Sequence, residues 1–316
     1  MRERRHMNNM RNCVLFLSFL MAIVIAGTLL FLCPVLAATE QTSDEEKDQE
    51  IPATPFPRLP PGLEPHKPTY FLFTWTSFDE DRHKEELKFQ LSFKQRLFPW
   101  GELINENKRL KLYFGYTQKS LWQVFDTDRS SPFRETNYNP EVFVRTCEYQ
   151  TNWGVLCFDV GYEHESNGQN IPASRSWDRL YLKPKLQKGI FSIDYKLWLR
   201  FEEDEKEDEF DTQGDDNPDI EDFYGYGELN FRIDCCRGKW RHARMAEKLL
   251  HFDKSVINVM LRYNMEESKG AVQADYFLPM MNSIKLHFQF WDGYGESLID
   301  YDRSFTKYGF GVALVY

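Results

Sequence analysis

Residues 307–316 read KYGFGVALVY and alternate in polarity from the first residue to the last. Successive side chains of a β-strand point to opposite faces, so one face carries Tyr308, Phe310, Val312, Leu314 and Tyr316. The other face carries one lysine and mostly small residues. This pattern is typical of a strand in a transmembrane β-barrel, where the apolar face contacts lipid and the other face lines the lumen.

The same two-residue period recurs upstream and indicates strands with one apolar and one polar face. The apolar rows are Leu87–Phe93, Phe191–Leu199, Phe223 with Leu229–Ile233, Ile257–Leu261 and Ile284–Phe290. We count about twelve such segments of roughly 9 to 13 residues, which predicts an all-β fold, a twelve-stranded antiparallel transmembrane β-barrel over residues 69–316. Alternation alone is also compatible with a soluble β-sandwich. An export signal and the 26 Phe, 16 Tyr and 8 Trp favour the barrel, whose closure leaves no unpaired strand edge in lipid.

The first 37 residues have the features of a signal peptide. Four arginines precede an apolar run over residues 13–36, and small residues follow at a cleavage point before Ala38. An uncleaved membrane anchor is the alternative, since about 20 apolar residues can also span a bilayer. Residues 38–68 hold seven of the 15 prolines and many acids, which predicts an extended leader. Together with the barrel pattern, the signal predicts the outer membrane of a Gram-negative bacterium, with short turns on the periplasmic side and longer loops outside.

The net charge of −10 excludes a general electrostatic affinity for nucleic acid. The acidity is concentrated in the leader and in residues 202–222, which carry thirteen carboxylates against one lysine. This acidic outer loop is either an extended, self-repelling segment or a segment that gathers calcium or bridges to lipopolysaccharide. We assign no function to the long basic connection over residues 235–252.

Cys147 and Cys157 flank a short turn at residues 151–154. In an exported protein this spacing is compatible with a disulfide bond across a hairpin. Two reduced cysteines that face the interior fit the spacing equally well.

Polar residues extend the lipid-facing rows at the outer end of the barrel. His164 and Ser166 continue the row that ends at Tyr162, Asp178 precedes the row of Leu180, and Gln118 follows Tyr116. Ser, His and Asp have the parts of a nucleophile, its general base and the group that orients the base. Polar residues at the membrane interface would show the same spacing, so spacing alone leaves both interpretations open.

Six segments in the same order closely resemble the outer membrane phospholipase A family. They are YTQKS (116–120), SSPFRETNY (130–138), YEHESNGQ (162–169), SRSWDRLY (174–181), DDNPDI (215–220) and GYGESLIDY (293–301). The resemblance implies a twelve-stranded barrel that hydrolyses sn-1 and sn-2 acyl esters of phospholipids, requires Ca²⁺ and is activated by homodimerisation among outer membrane lipids. The competing class is a barrel without enzymatic activity, either a pore or a structural protein. A third interpretation is an esterase that acts on another lipid.

By the same resemblance, Ser166 is the nucleophile, His164 the base and Asp178 the orienting residue, where the family usually has Asn. The Gly168 amide would form part of the oxyanion hole. Calcium would bind the Ser174 hydroxyl and the Gln169 carbonyl of one subunit and the Ser130 carbonyl of its partner.

The family gives two further expectations, one for the dimer interface and one for a second calcium site. Gln118 resembles the polar residue in the family's dimer interface, where a hydrogen bond between lipid-facing surfaces would fix the pairing. A second calcium site of the family uses carboxylates at the positions of Ile171 and Asp216. Ile171 has no ligating atom, so we expect that site to be absent or rebuilt from nearby acids.

Overall fold

The computed structural model describes most of the chain from residue 62 onward. The described residues are 62–76, 85–97, 110–204, 206, 208, 211, 214–234, 255–281 and 283–314, without the side chains at positions 147 and 148. The predicted signal peptide, the leader before residue 62, the basic connection over residues 235–252 and Tyr316 lie outside these ranges.

The described chain forms a closed antiparallel barrel of twelve strands, β2 to β13, and the predicted fold class is confirmed. Closure follows from β3, which pairs with both β2 and β4. A short strand, β1, also pairs with β3. The strands are β1 (Leu63–Pro65), β2 (Thr69–Thr76), β3 (Glu85–Arg96), β4 (Leu110–Trp122), β5 (Phe133–Thr151), β6 (Gly154–Ser166), β7 (Ser176–Lys188), β8 (Phe191–Phe201), β9 (Gly227–Asp234), β10 (Val256–Asn264), β11 (Lys269–Met281), β12 (Ile284–Tyr294) and β13 (Ser304–Leu314).

The helical elements of the described residues are short and lie in the long loops. Among these elements, one helix, α1, spans Ile220–Tyr224, and two 3₁₀ turns span Thr127–Arg129 and Leu298–Asp300. No helix in the described ranges has the length and apolarity needed to cross a membrane.

Exposure along β6 follows the predicted alternation. On β6, Val160 and Tyr162 are 48% and 44% exposed, whereas Asp159 and Glu163 are 7% and 0% exposed. The apolar residues therefore face outward and the charged residues face the lumen. This is the arrangement expected of a barrel whose outer surface is solvated by lipid.

Ion pairs fill the lumen near the long loops. Glu86 pairs with Arg134 and Lys307, and Glu296 pairs with Lys307 and Lys88. Burial opposes ionisation of Glu296, which lies in a loop, but Lys307 and Lys88 outweigh it and hold the pKa of Glu296 well below its usual range. A buried charge is tolerated when it is paired in this way.

An apolar cluster covers the same end of the barrel. Helix α1 contributes Ile220 and Tyr224, which pack with Trp177 and Leu298. The rings of Trp177 and Tyr224 meet edge to face at 5.2 Å. The cluster therefore fastens the acidic loop that contains α1 onto the strands below it.

Two expectations from the sequence are resolved by the structure. Phe223 was predicted to continue the apolar row of β9, but it lies in α1 and packs against Tyr301. That prediction is wrong, because the chain turns at Gly225 and Tyr226 before β9 begins, so the two-residue period does not extend back to Phe223. Cys157 is disulfide-bonded, which is one of the two interpretations of its spacing.

Candidate active site

The pairing of β6 with β7 brings His164 opposite Asp178 and Ser166 opposite Ser176. The Nδ1 atom of His164 lies 2.9 Å from Oδ1 of Asp178. The two side chains are 35% and 28% exposed, so the pair lies on the outer surface of the barrel. An acceptor at Nδ1 holds the imidazole in the tautomer whose Nε2 can accept a proton.

Ser166 follows His164 by two residues and therefore projects from the same face of β6. On its other side Ser166 pairs with Tyr138 of β5. In the described part of the chain neither the Ser166 hydroxyl nor Nε2 of His164 has a hydrogen-bond partner. Catalytic hydrogen bonds are often long without substrate and shorten in the reacting complex. The placement therefore suits a nucleophile and its base.

Asn167 organises the loop between β6 and β7. Its Oδ1 accepts hydrogen bonds from the backbone amides of Gln169 at 3.2 Å and Arg175 at 3.0 Å. Its Nδ2 donates to the carbonyl of Ala173 at 2.8 Å and to Glu135 at 3.3 Å. Asn167 is 4% exposed, and the two ends of the loop are joined through its side chain.

Gly168 lies within this loop, two residues after Ser166. Its φ of 62° is in the left-handed region, where a residue with a Cβ pays a steric cost. An oxyanion hole requires a backbone amide that can donate to an external acceptor.

Glu135 connects the loop to the rest of the barrel. It is 1% exposed and accepts hydrogen bonds from the amide of Ile299 at 3.1 Å and from the side chain of Gln169 at 2.8 Å. The GYGESLIDY segment thus contributes to the site through its backbone. Two of the six matching segments are thus joined to the loop that carries Gly168, since Glu135 belongs to SSPFRETNY and Ile299 to GYGESLIDY.

The predicted calcium ligands lie in different parts of the site. The Ser174 hydroxyl donates to Oδ2 of Asp216 at 2.5 Å, and Lys206 forms an ion pair with Oδ1 of the same carboxylate. The Gln169 side chain is directed to Arg134 and Glu135. Ser130 has a left-handed φ of 61° after the 3₁₀ turn at Thr127–Arg129.

These residues fit a hard cation by the chemistry of their donors. No group of three or more His, Cys, Asp or Glu that could hold a metal occurs within the described ranges. Ser174 and Asp216 nevertheless place hydroxyl and carboxylate oxygens together, and the ammonium of Lys206 pairs with the Asp216 carboxylate. Oxygen ligands completed by carbonyls and water are what Ca²⁺ prefers.

The second half of the acidic loop is bound to the barrel. Asp215 accepts two hydrogen bonds from Arg200, at 2.5 and 2.6 Å, and Asp219 accepts one from Tyr301 at 2.5 Å. Burial raises the pKa of Glu203, and the carboxylates of Asp215 and Asp178 raise it further. Arg200 and Tyr301 therefore hold residues 215–219 of the loop. Glu203, at the start of the same loop, lies near Asp178 of the outward-facing pair.

Gln118 lies on the outward face of β4, as its row predicts. Its Oε1 accepts from the Tyr116 hydroxyl at 3.1 Å and its Nε2 donates to Ser120 at 3.3 Å. Both ends of the amide are thus held along one strand.

Three residues with a direct part in this geometry were not identified from the sequence. They are Asn167, Glu135 and Tyr162, whose hydroxyl donates to Oδ1 of Asp178 at 2.5 Å. Tyr162 precedes His164 by two residues on the same face, and that spacing is a signal that could have identified it. Asn167 and Glu135 act across loops, so no local spacing reveals them.

Comparison with known proteins gives matches along the whole barrel. A sequence model of phospholipase A1 matches residues 58–314. The phospholipase A1 of Escherichia coli strain K12 is 33% identical over 266 residues, or 80% of this chain and 81% of that protein. A putative phospholipase A1 of Neisseria meningitidis serogroup B is 33% identical over 264 residues, or 81% of this chain and 60% of that protein.

Solved structures with the same fold were also found. Outer membrane phospholipase A from Escherichia coli superposes with a TM-score of 0.67 and 32% identity, covering 80% of this chain and 98% of that chain. A Salmonella typhi outer membrane phospholipase dimer with bound calcium superposes with a TM-score of 0.68 and 31% identity, covering 82% and 94%.

Proposed function

The chain belongs to the phospholipase A1 family, and on that premise we propose that it is a calcium-dependent phospholipase of the outer membrane. It hydrolyses the sn-1 and sn-2 acyl esters of phospholipids and is active as a homodimer among outer membrane lipids. We further propose that residues 1–37 are removed as a signal peptide, that residues 38–68 form a leader, and that residues 69–316 form the enzyme.

The observation that carries this proposal is the outward-facing pair of His164 and Asp178 beside Ser166, with 2.9 Å between Nδ1 and Oδ1. Polar groups on the lipid-facing surface of a barrel are costly unless they lie near the interface or serve a function. An acyl ester can approach that surface without leaving the membrane.

The chain's own groups perform the reaction in two steps. His164 accepts the proton of Ser166 at Nε2 while Oγ attacks the ester carbonyl, and it returns that proton to the departing alcohol. A water molecule, deprotonated by His164, then releases the fatty acid and restores Ser166. Asp178 holds the proton on Nδ1, and the Gly168 amide donates to the oxyanion.

Calcium, when bound, supplies a hard positive charge that stabilises the developing oxyanion directly or through a polarised water. The Ser174 hydroxyl, the Gln169 carbonyl and the carbonyl of the partner subunit's Ser130 would hold it. The bound calcium and the dimer described for the Salmonella typhi phospholipase support this part of the proposal.

The alternative of a barrel without enzymatic activity is less well supported. A wide pore requires an open lumen, whereas the inward-facing Lys88, Glu163 and His287 are 1%, 0% and 0% exposed. Their burial indicates an interior filled by side chains.

A sulfonyl fluoride separates the two classes, because it reacts with activated serines. In detergent with calcium, we expect one adduct, located at Ser166 by mass spectrometry and absent from Ser166→Ala. Ser176→Ala is the matched control, since Ser176 lies opposite Ser166 in the β6–β7 pairing. Equal labelling of Ser166 and other serines would favour the pore or structural protein.

A further inference from the structure

The carboxylate of Asp178 is shared by two donors on β6. Its Oδ1 accepts from Nδ1 of His164 at 2.9 Å and from the hydroxyl of Tyr162 at 2.5 Å. Both donors project from the same face of β6, because they are two residues apart. Asp178 is thereby held between His164 and Tyr162.

The ring of Tyr162 is itself held in place. It is 44% exposed on the outward face and lies 6.0 Å from the ring of Phe201, which is paired with Asp178 in the β7–β8 register. An outward-facing tyrosine with an apolar ring and a bonded hydroxyl is common at a membrane interface. Here, however, the partner of that hydroxyl is the candidate orienting group.

Because Asp178 carries a negative charge, the hydrogen bond from its second donor, the Tyr162 hydroxyl, affects the site. A carboxylate at a lipid-facing surface is poorly solvated, and the nearby carboxyl of Glu203 adds repulsion. A hydroxyl donor stabilises the ionised form and reduces the negative charge that acts on the imidazole. Among the residues that the structure describes, the charged or titratable groups facing Asp178 from β6 and the acidic loop are Tyr162, His164 and Glu203.

We propose that Tyr162 is a positioning residue of the phospholipase site, whose hydroxyl fixes the Asp178 carboxylate and moderates its effect on His164. This inference rests on the proposed function. The residue itself neither contacts the ester nor transfers a proton. It acts through Asp178 alone.

The test is the pH dependence of hydrolysis by Tyr162→Phe at saturating calcium. Without the hydroxyl, the carboxylate stabilises protonated His164 more strongly, so the neutral base forms only at higher pH. We expect the acid limb of the kcat/KM profile to move up by about half to one pH unit. We expect kcat on the plateau to fall roughly 3- to 10-fold, because the carboxylate is less firmly oriented.

A double-mutant cycle separates this role from a structural one. In an Asp178→Asn background there is no carboxylate charge to moderate, so adding Tyr162→Phe should leave the acid limb unmoved. Tyr195→Phe is the matched control, because Tyr195 is 41% exposed on the outward face of β8 and has no hydrogen bond within the described ranges. The rate of sulfonyl fluoride labelling against pH gives the same readout independently of lipid turnover.

The outcomes are distinct. An unshifted acid limb in folded Tyr162→Phe, or an equal shift in the Asp178→Asn background, overturns the inference. If Ser166→Ala retains hydrolysis, the proposed function fails first. If Ser166→Ala is inactive and Tyr162→Phe is unshifted, only the role of Tyr162 is rejected.

Discussion

His164 and Asp178 face each other across adjacent strands of the barrel wall, with 2.9 Å between Nδ1 and Oδ1. The pair lies on the outward face, next to Ser166 and apart from the ion pairs of the lumen. Its geometry is therefore set by strand register, and its environment is set by the membrane interface.

Replacing Asp178 tests what the carboxylate contributes beyond orientation. Asp178→Asn keeps an acceptor for Nδ1 but removes the charge that stabilises protonated His164, so the acid limb of kcat/KM should move to lower pH. Asp178→Ala removes the acceptor as well and should reduce kcat by roughly 10²-fold or more. Equal activity of the wild type and Asp178→Ala across the pH range would show that Asp178 does not orient the base.

Asn167→Ala should destabilise the loop that carries Gly168 and Gln169. The substitution leaves the amides of Gln169 and Arg175 and the carbonyl of Ala173 without their side-chain partner. We expect a loss of about 1–3 kcal/mol in the free energy of unfolding by urea and a weaker response of hydrolysis to calcium. The matched control is Asn170→Ala, an exposed position in the same loop. Identical unfolding curves for the Asn167 variant and the wild type would contradict this role.

Lys206→Met should strengthen calcium binding. The ammonium of Lys206 pairs with Asp216, whose other oxygen accepts from Ser174, so the lysine competes with a cation at this position. We expect the calcium concentration for half-maximal stimulation of hydrolysis to fall roughly 3- to 10-fold. Lys188→Met, at the exposed end of β7, serves as the control. An unchanged midpoint would mean that Lys206 does not compete with calcium.

The sequence was sufficient for the barrel and for the outward placement of the polar row. Both follow from a period of two, which fixes the face of a residue once its strand is identified. The two-residue period alone predicts that His164, Ser166 and Gln118 lie on the outward face. Phe223 shows the limit of this rule, because the alternation of faces holds only within a strand and Phe223 lies in the helix before β9.

The sequence alone did not predict which side chains of the strands and loops contact one another. That Tyr162 reaches Asp178 depends on the register of β6 against β7, which alternation leaves open. The pairing of Ser174, Asp216 and Lys206 depends on how the acidic loop folds back onto the barrel. Charge composition left open a self-repelling loop or one that gathers calcium or bridges to lipopolysaccharide, and it did not identify Arg200 and Tyr301 as partners of residues 215–219.

Calcium-stimulated release of fatty acid from phospholipid by Ser166→Ala tests the central claim most directly. Wild type and Ser176→Ala should both release fatty acid when calcium is added. Ser166→Ala should release none above background, although it folds and dimerises as the wild type does. Calcium-stimulated release by Ser166→Ala at the wild-type rate would contradict the assignment of Ser166 as the nucleophile.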